Sequence, residues 1–212
     1  MDIWMQELEQ AKVIPVVKIS SAEKAPRLAK ALLQGGMKII EVTFRTDAAA
    51  EAIRAIVREV PEMLVCAGTV LTVEQAKEAI AAGACAIISP GTNPEVVTYC
   101  QEQQVPVIPG CATPTEVEAC MRMGLGLVKL FPAEVVGGVS MLKALAGPYA
   151  QMRFMPTGGI SLQNLASYLA LSNVTACGGS WIAPESLIEE EKFSEITERA
   201  QQCRALVFEK YN

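Results

Sequence analysis

The 212-residue chain contains no histidine. That absence removes Ser-His-Asp and Cys-His nucleophiles together with the commonest zinc ligands. Its seven cysteines are an odd set, and no two stand as C-x-x-C. Neither a disulfide framework nor a zinc knuckle is expected, and most of these thiols read as reduced core residues. Aromatics make up only 5%, no Lys/Arg cluster has aromatics interleaved, and the net charge is −5, so a nucleic-acid groove is not expected. No apolar run reaches membrane-spanning length, and "MDIWMQELEQAK" has acidic residues where a secretory signal needs positive ones. The expectation is a cytoplasmic protein without a membrane partner. No G-x-G-x-x-G follows the first apolar run, and no GxxxxGK[ST] occurs anywhere. Chemistry is left to Lys, Glu, Asp, Thr, Tyr or Cys.

Apolar material is ample, at 51% against 19% charged residues. Length and composition fit one domain spanning 1–212 rather than two cores. Eight β-rich runs recur: "VIPVVKI", "KIIEVTF", "LVCAGTV", "ACAIISPG", "VPVIPGCA", "LVKLFPA", "RFMPTGG" and "NVTACGGSWI". Helical patterns separate them, at roughly 20 to 26 residues per unit, which is the cadence of a (β/α)8 TIM barrel. A doubly wound open sheet is the alternative. Ser20 with Glu23 reads as a capping box ahead of Ala25, Leu28, Ala29, Leu32 and Leu33, a helix ended by Gly35-Gly36. Thr113-Pro114-Thr115-Glu116 is a second box; Thr72 with Gln75 and "SLQN" at 161–164 are weaker starts. The first dozen residues predict an extra N-terminal helix with Trp4, Met5 and Leu8 on one side, packing on the barrel or on a neighbouring subunit. Residues 184–212 read as one charged amphipathic helix whose "EEEK" is a solvated face. Pro15 sits awkwardly in the first strand, because proline cannot donate to a ladder.

Strand alternation places Ile39, Glu41, Thr43 and Arg45 on one face of "KIIEVTFRT", and Ile40, Val42 and Phe44 on the other. The wholly apolar face belongs under the helices, which turns Glu41 toward the barrel axis and Arg45 toward its C-terminal mouth. The same rule turns Leu127, Lys129 and Phe131 inward. A lysine held in a dry interior loses proton affinity, which frees its amine as a nucleophile. The alternative is a structural ion pair between Lys129 and Glu41 across the barrel. A dry carboxyl such as Glu41 suits a group that must take and return protons. Arg45 offers a planar fork for a carboxylate, or pairs at the surface with Asp47. Thr69, on the side of Val65 and Ala67, either binds a substrate oxygen or simply packs. The glycine pairs in "PTGGIS" and "CGGSW" end the seventh and eighth runs, where barrel phosphate sites commonly lie; tight turns are the plainer reading.

Taken together, "IEVTFRT", "AGTVLT", "IISPG", "PGCATPTE", "VKLFPAE", "AGPY", "PTGGIS" and "GGSW" closely resemble the 2-keto-3-deoxy-6-phosphogluconate (KDPG) aldolases, whose members often also cleave 4-hydroxy-2-oxoglutarate. The resemblance implies a homotrimeric (β/α)8 class I aldolase that needs no metal or cofactor. Carried over, Lys129 is the Schiff-base former and Glu41 the general acid/base. Arg45 and Thr69 would hold the pyruvyl carboxylate end, and Pro90 and Phe131 would shape the pocket. Thr157, Gly158, Gly159, Gly179 and Ser180 would bind the remainder of the substrate, the glycines and serine its phosphate. Where several members carry arginine at the end of the first strand this chain has Lys18, which lacks arginine's bidentate grip. The galactonate epimer is a further candidate substrate. A phosphosugar isomerase or epimerase would share the glycine cradle without needing Lys129. A non-catalytic oligomeric scaffold, natural or engineered, would need neither.

Overall fold

Among the described residues nine short strands carry the eight apolar runs, because Pro109 interrupts the fifth. They are β1 (Val13–Val17), β2 (Ile39–Thr43), β3 (Leu64–Gly68), β4 (Ala86–Ile88), β5 (Val107–Ile108), β6 (Gly110–Cys111), β7 (Leu127–Leu130), β8 (Arg153–Pro156) and β9 (Cys177–Gly179). The computed structural model describes residues 3–211. Every ladder is parallel, in the orders β5-β4-β3-β2-β1-β9 and β6-β7-β8. The carbonyl of Pro109 accepts from Lys129 N at 2.8 Å, so the interrupted run still lies along β7. Bridges between Phe154 and Val174 and between Thr157 and Gly178 join β8 to the β9 segment and close the ring. Pro15 is tolerated within β1, opposite Gly179 at the last rung of β9, where that ladder ends.

Helices alternate with the strands: α1 (Ile3–Ala11), α2 (Ala25–Gln34), α3 (Ala49–Glu59), α4 (Val73–Ala81), α5 (Pro94–Glu102), α6 (Pro114–Arg122), α7 (Gly138–Ala146), α8 (Leu165–Leu169), α9 (Glu185–Glu189) and α10 (Phe193–Tyr211). Two apolar layers result. Outward strand residues such as Val42, Val65, Val128 and Leu130 pack with Leu28 and Leu32 of α2 and their counterparts on the other helices. Inward residues, among them Ile14, Ile39, Leu127 and Met155, form a separate cluster with Trp4, Leu8 and Ala11. Ile39 and Leu127 open their strands, so α1 lies across the N-terminal end of the ring and packs on the barrel itself. Among the described residues no helix is long and apolar enough to cross a membrane.

Local signals were realised unevenly. Thr113 and Glu116 form the reciprocal capping box, and Thr72 accepts from Gln75 N at 3.2 Å. The box expected at Ser20 does not form. A 3₁₀ turn at Ala22–Lys24 precedes α2, its cap Ser21 makes no side-chain bond, and Ser20 Oγ donates instead to Glu185 Oε1 at 3.4 Å. Ser161 is likewise no cap: Asn164 stands at the start of the short α8 and accepts from Ser161 N at 2.8 Å.

The C-terminal segment is two helices, not one. Glu191 takes a left-handed φ of +54°, and Lys192 N returns to Leu187 O at 2.9 Å, which ends α9 before α10 starts. The break is fixed by charge. Lys24 pairs with Glu189 at 2.7 Å and Arg27 with Glu191 at 2.5 Å, so "EEEK" is tied to the start of α2 rather than being only a solvated face. Beyond it Ile196, Ala200, Cys203 and Val207 bury one stripe of α10; Asn212 lies outside the described residues.

Candidate active site

Alternation along β2 and β7 brings two charged side chains face to face inside the ring. Glu41 is 0% exposed and Lys129 4%, and Lys129 Nζ lies 3.1 Å from Glu41 Oε1. The approach depends on Gly68, paired in register with Thr43: a β-carbon there would stand 2.2 Å from Glu41 Oε1. No larger residue leaves the carboxylate where it is. Glu41 Oε2 has no polar partner among the described residues, and neither has the buried hydroxyl of Thr157. Thr157 follows Met155, the register partner of Lys129, on the same inward face. The Phe131 ring centroid is 5.6 Å from Lys129 Nζ, so the amine has an aromatic face on one side and a carboxylate on the other. The inward set Leu127, Lys129, Phe131 is therefore as alternation predicts.

Strand ends supply the rim. Thr43 is buried and donates to Val17 O at 2.9 Å, bracing β2 on β1 rather than facing the cavity as a free hydroxyl. Arg45, two residues on, is exposed, and among the described residues it makes no ion pair with Asp47 or any other acid. Lys18 is not free: it pairs with Glu185 at 2.7 Å. Lys18, by hydrogen bond, holds the Glu185 carboxyl below its usual range, with Ser20 and Arg45 adding to the effect. Sequence reasoning missed Glu185, which belongs to the C-terminal segment read as one amphipathic helix.

Thr69 departs from strand alternation. Val65 and Ala67 pack under the helices, so simple alternation would turn Thr69 away from the axis. Its φ of +56° takes it out of the β region, where strand parity no longer applies. Pro90 and Phe131 are half-buried, Gly179 is buried, and Ser180 is exposed. Gly158 and Gly159 have φ of +100° and +80°, so the first glycine pair is a left-handed turn that L side chains rarely adopt.

The thiols are perturbed unevenly. Cys66, the register partner of Glu41, is pushed well above the ordinary thiol range by its bond with Cys85 at 3.9 Å, then by burial and Glu41. Cys120 is lowered to about 7 by Cys111, 3.5 Å away, but both lie in the layer under the helices. All seven cysteines are unpaired by disulfides. Among the described residues, one buried amine thus stands beside one buried carboxylate inside the ring. As a purely structural device the pair is poorly motivated, since burying two charges recovers little net stability.

Comparison with known proteins gives the same residues a context. The family profile described as "Aldolase: KDPG and KHG aldolase" matches residues 5–199. A 2-dehydro-3-deoxy-phosphogluconate aldolase of Treponema pallidum is 52% identical over 202 residues, 95% of this chain and 96% of that protein. A KHG/KDPG aldolase of Escherichia coli K12 is 46% identical over 196 residues, 92% of each chain. Among solved structures, a KDPG aldolase of Legionella pneumophila with pyruvate captured as a covalent carbinolamine superposes with a TM-score of 0.90 at 42% identity, covering 93% of this chain and 96% of that one.

Proposed function

The chain belongs to the KDPG and KHG aldolase family, and from that premise we propose that it cleaves 2-keto-3-deoxy-6-phosphogluconate to pyruvate and glyceraldehyde 3-phosphate, and 4-hydroxy-2-oxoglutarate to pyruvate and glyoxylate. The supporting observation is the buried amine of Lys129 at 3.1 Å from the carboxylate of Glu41. The unprotonated amine adds to the C2 ketone, forming a carbinolamine. Glu41, having taken the proton given up by the Lys129 ammonium, returns it to the departing hydroxyl, and loss of water gives a cationic imine. Glu41, directly or through a water, then takes the C4 hydroxyl proton. The C3–C4 bond breaks, its electron pair flows into the imine, and the aldehyde departs. The resulting enamine takes a proton at C3 from Glu41, and hydrolysis frees pyruvate and the amine.

Arg45 and Thr69 are assigned the pyruvyl carboxylate, for which Arg45 is exposed and unpaired at the mouth. Pro90, Phe131 and Thr157 line the reacting carbons, Thr157 with an unpartnered hydroxyl. Gly158, Gly159, Gly179 and Ser180 are assigned the phosphate, with Lys18 contributing only as far as Glu185 releases it. The working assembly is taken as a cytoplasmic homotrimer, on the family resemblance.

Borohydride reduction in the presence of pyruvate, followed by peptide mapping, tests the assignment. An adduct on Lys129 is expected; no adduct, or one on another lysine, overturns it. Comparing kcat/KM for the phosphorylated acid, its galactonate epimer and 4-hydroxy-2-oxoglutarate then ranks the substrates.

A further inference from the structure

The turn that follows β7 lies against the turn that follows β8. Ala133 N donates to Thr157 O at 2.8 Å and Glu134 N to Gly158 O at 3.1 Å. The side chain of Glu134 continues the contact: a β-carbon on Gly159 would fall 2.5 Å from Glu134 Cγ. Its carboxylate then turns back over Gly138, where a β-carbon would meet Glu134 Oε1 at 2.8 Å, and accepts the hydroxyl proton of Tyr168 on α8. Tyr168 is fully buried, whereas Glu134 is exposed. From the other side Asn164 Nδ2 donates to Gly159 O at 3.0 Å.

An exposed glutamate has no reason of its own to be held in one rotamer, and two consecutive left-handed glycines have more freedom than any other dipeptide. The bond from a buried tyrosine fixes the first, and through it the second. We propose that Glu134, held by Tyr168, is a positioning residue that fixes the Gly158–Gly159 turn for the phosphate end of the substrate. This rests on the aldolase reading above and on the phosphate being bound at that turn.

The test is a split between substrates. Tyr168→Phe keeps the buried ring and removes only the hydroxyl; Glu134→Ala removes the acceptor at an exposed position and carries the test if the tyrosine variant folds poorly. Both should raise KM for the phosphorylated acid about tenfold, the size of one lost hydrogen bond. KM for 4-hydroxy-2-oxoglutarate and borohydride trapping of pyruvate should change less than about twofold, within ordinary surface effects. Glu134→Gln, which still accepts from Tyr168, should stay near the wild type on every measure. Equal loss on both substrates, or no loss on either, overturns the proposal while leaving the aldolase assignment intact. Absence of pyruvate trapping in the unsubstituted protein overturns the assignment instead.

Discussion

Gly68→Ala tests whether the separation of amine and carboxylate, rather than their mere presence, sets the rate. The added methyl would begin 2.2 Å from Glu41 Oε1, 2.6 Å from its Cγ and 2.7 Å from its Cδ, where ordinary contact starts at 3.4 Å. Because three successive atoms of a fully buried side chain are in the way, a rotation of the carboxylate tip alone does not relieve the contact. Glu41 must shift by roughly 1 Å, which disturbs the geometry of its 3.1 Å contact with Lys129. The phi angle of Gly68 is not in the left-handed region, so alanine suffers only from lack of space. Overpacking of this kind costs about 1–3 kcal/mol and should lower Tm by ~2–4 °C per kcal/mol at this chain length. A misplacement of this size is worth on the order of 100-fold in kcat. The assay is steady-state cleavage of the phosphorylated acid alongside borohydride trapping with pyruvate, on protein shown by melting to be folded. Trapping should persist in part, because Lys129 is untouched and only the acid that assists loss of water is displaced. A folded Gly68→Ala protein with kcat within threefold of the parent would refute the dependence on separation.

Lys129→Ala should abolish turnover and trapping, and by leaving Glu41 buried without a counter-charge should cost about 3–5 kcal/mol in urea unfolding; Lys129→Met, which fills the same volume, should lose the activity equally. Glu41→Gln should cut kcat while part of the pyruvate trapping persists, measured as labelled adduct per chain. The carboxyl of Glu116 is held below its usual range, first by the Ala112 backbone N–H, so its stabilisation is present above the unfolded value of about 4.3 and is lost as pH falls through the lower folded value. Glu116→Gln should therefore be less stable near neutrality and show a shallower acid limb in pH-dependent melts. At Glu191, φ +54°, glycine relieves a left-handed strain, so Glu191→Gly should keep or raise Tm despite losing the ion pair to Arg27.

The site was legible because alternation is strict where strands are regular. Glu41 and Lys129 fall inward by counting twos from Ile39 and Leu127, and the wholly apolar opposite faces decide which way is in. Counting fails at Thr69, where one left-handed residue resets the parity, and no residue type at that position announces it. The capping box at Thr113 was legible because proline at the first helical position and glutamate at the third act locally. Ser20 carried the same spacing of hydroxyl and glutamate without the proline, but Glu185, 165 residues away, offered its hydroxyl another partner. The break at Glu190–Lys192 is equally non-local, since it depends on Lys24 and Arg27. The bond between Tyr168 and Glu134 spans 34 residues and follows no periodicity, so only the folded chain brings it into view.

Among the described residues, the helix α1 covers the lower end of the barrel. Trp4 and Leu8 stopper that end beneath Ile14, Ile39 and Leu127, which shields the floor under Lys129 on that side. A leak from below would admit solvent to the floor under Lys129 without altering any residue that handles substrate. The dryness of that floor is in that sense kept by a helix that contributes neither member of the Lys129–Glu41 pair.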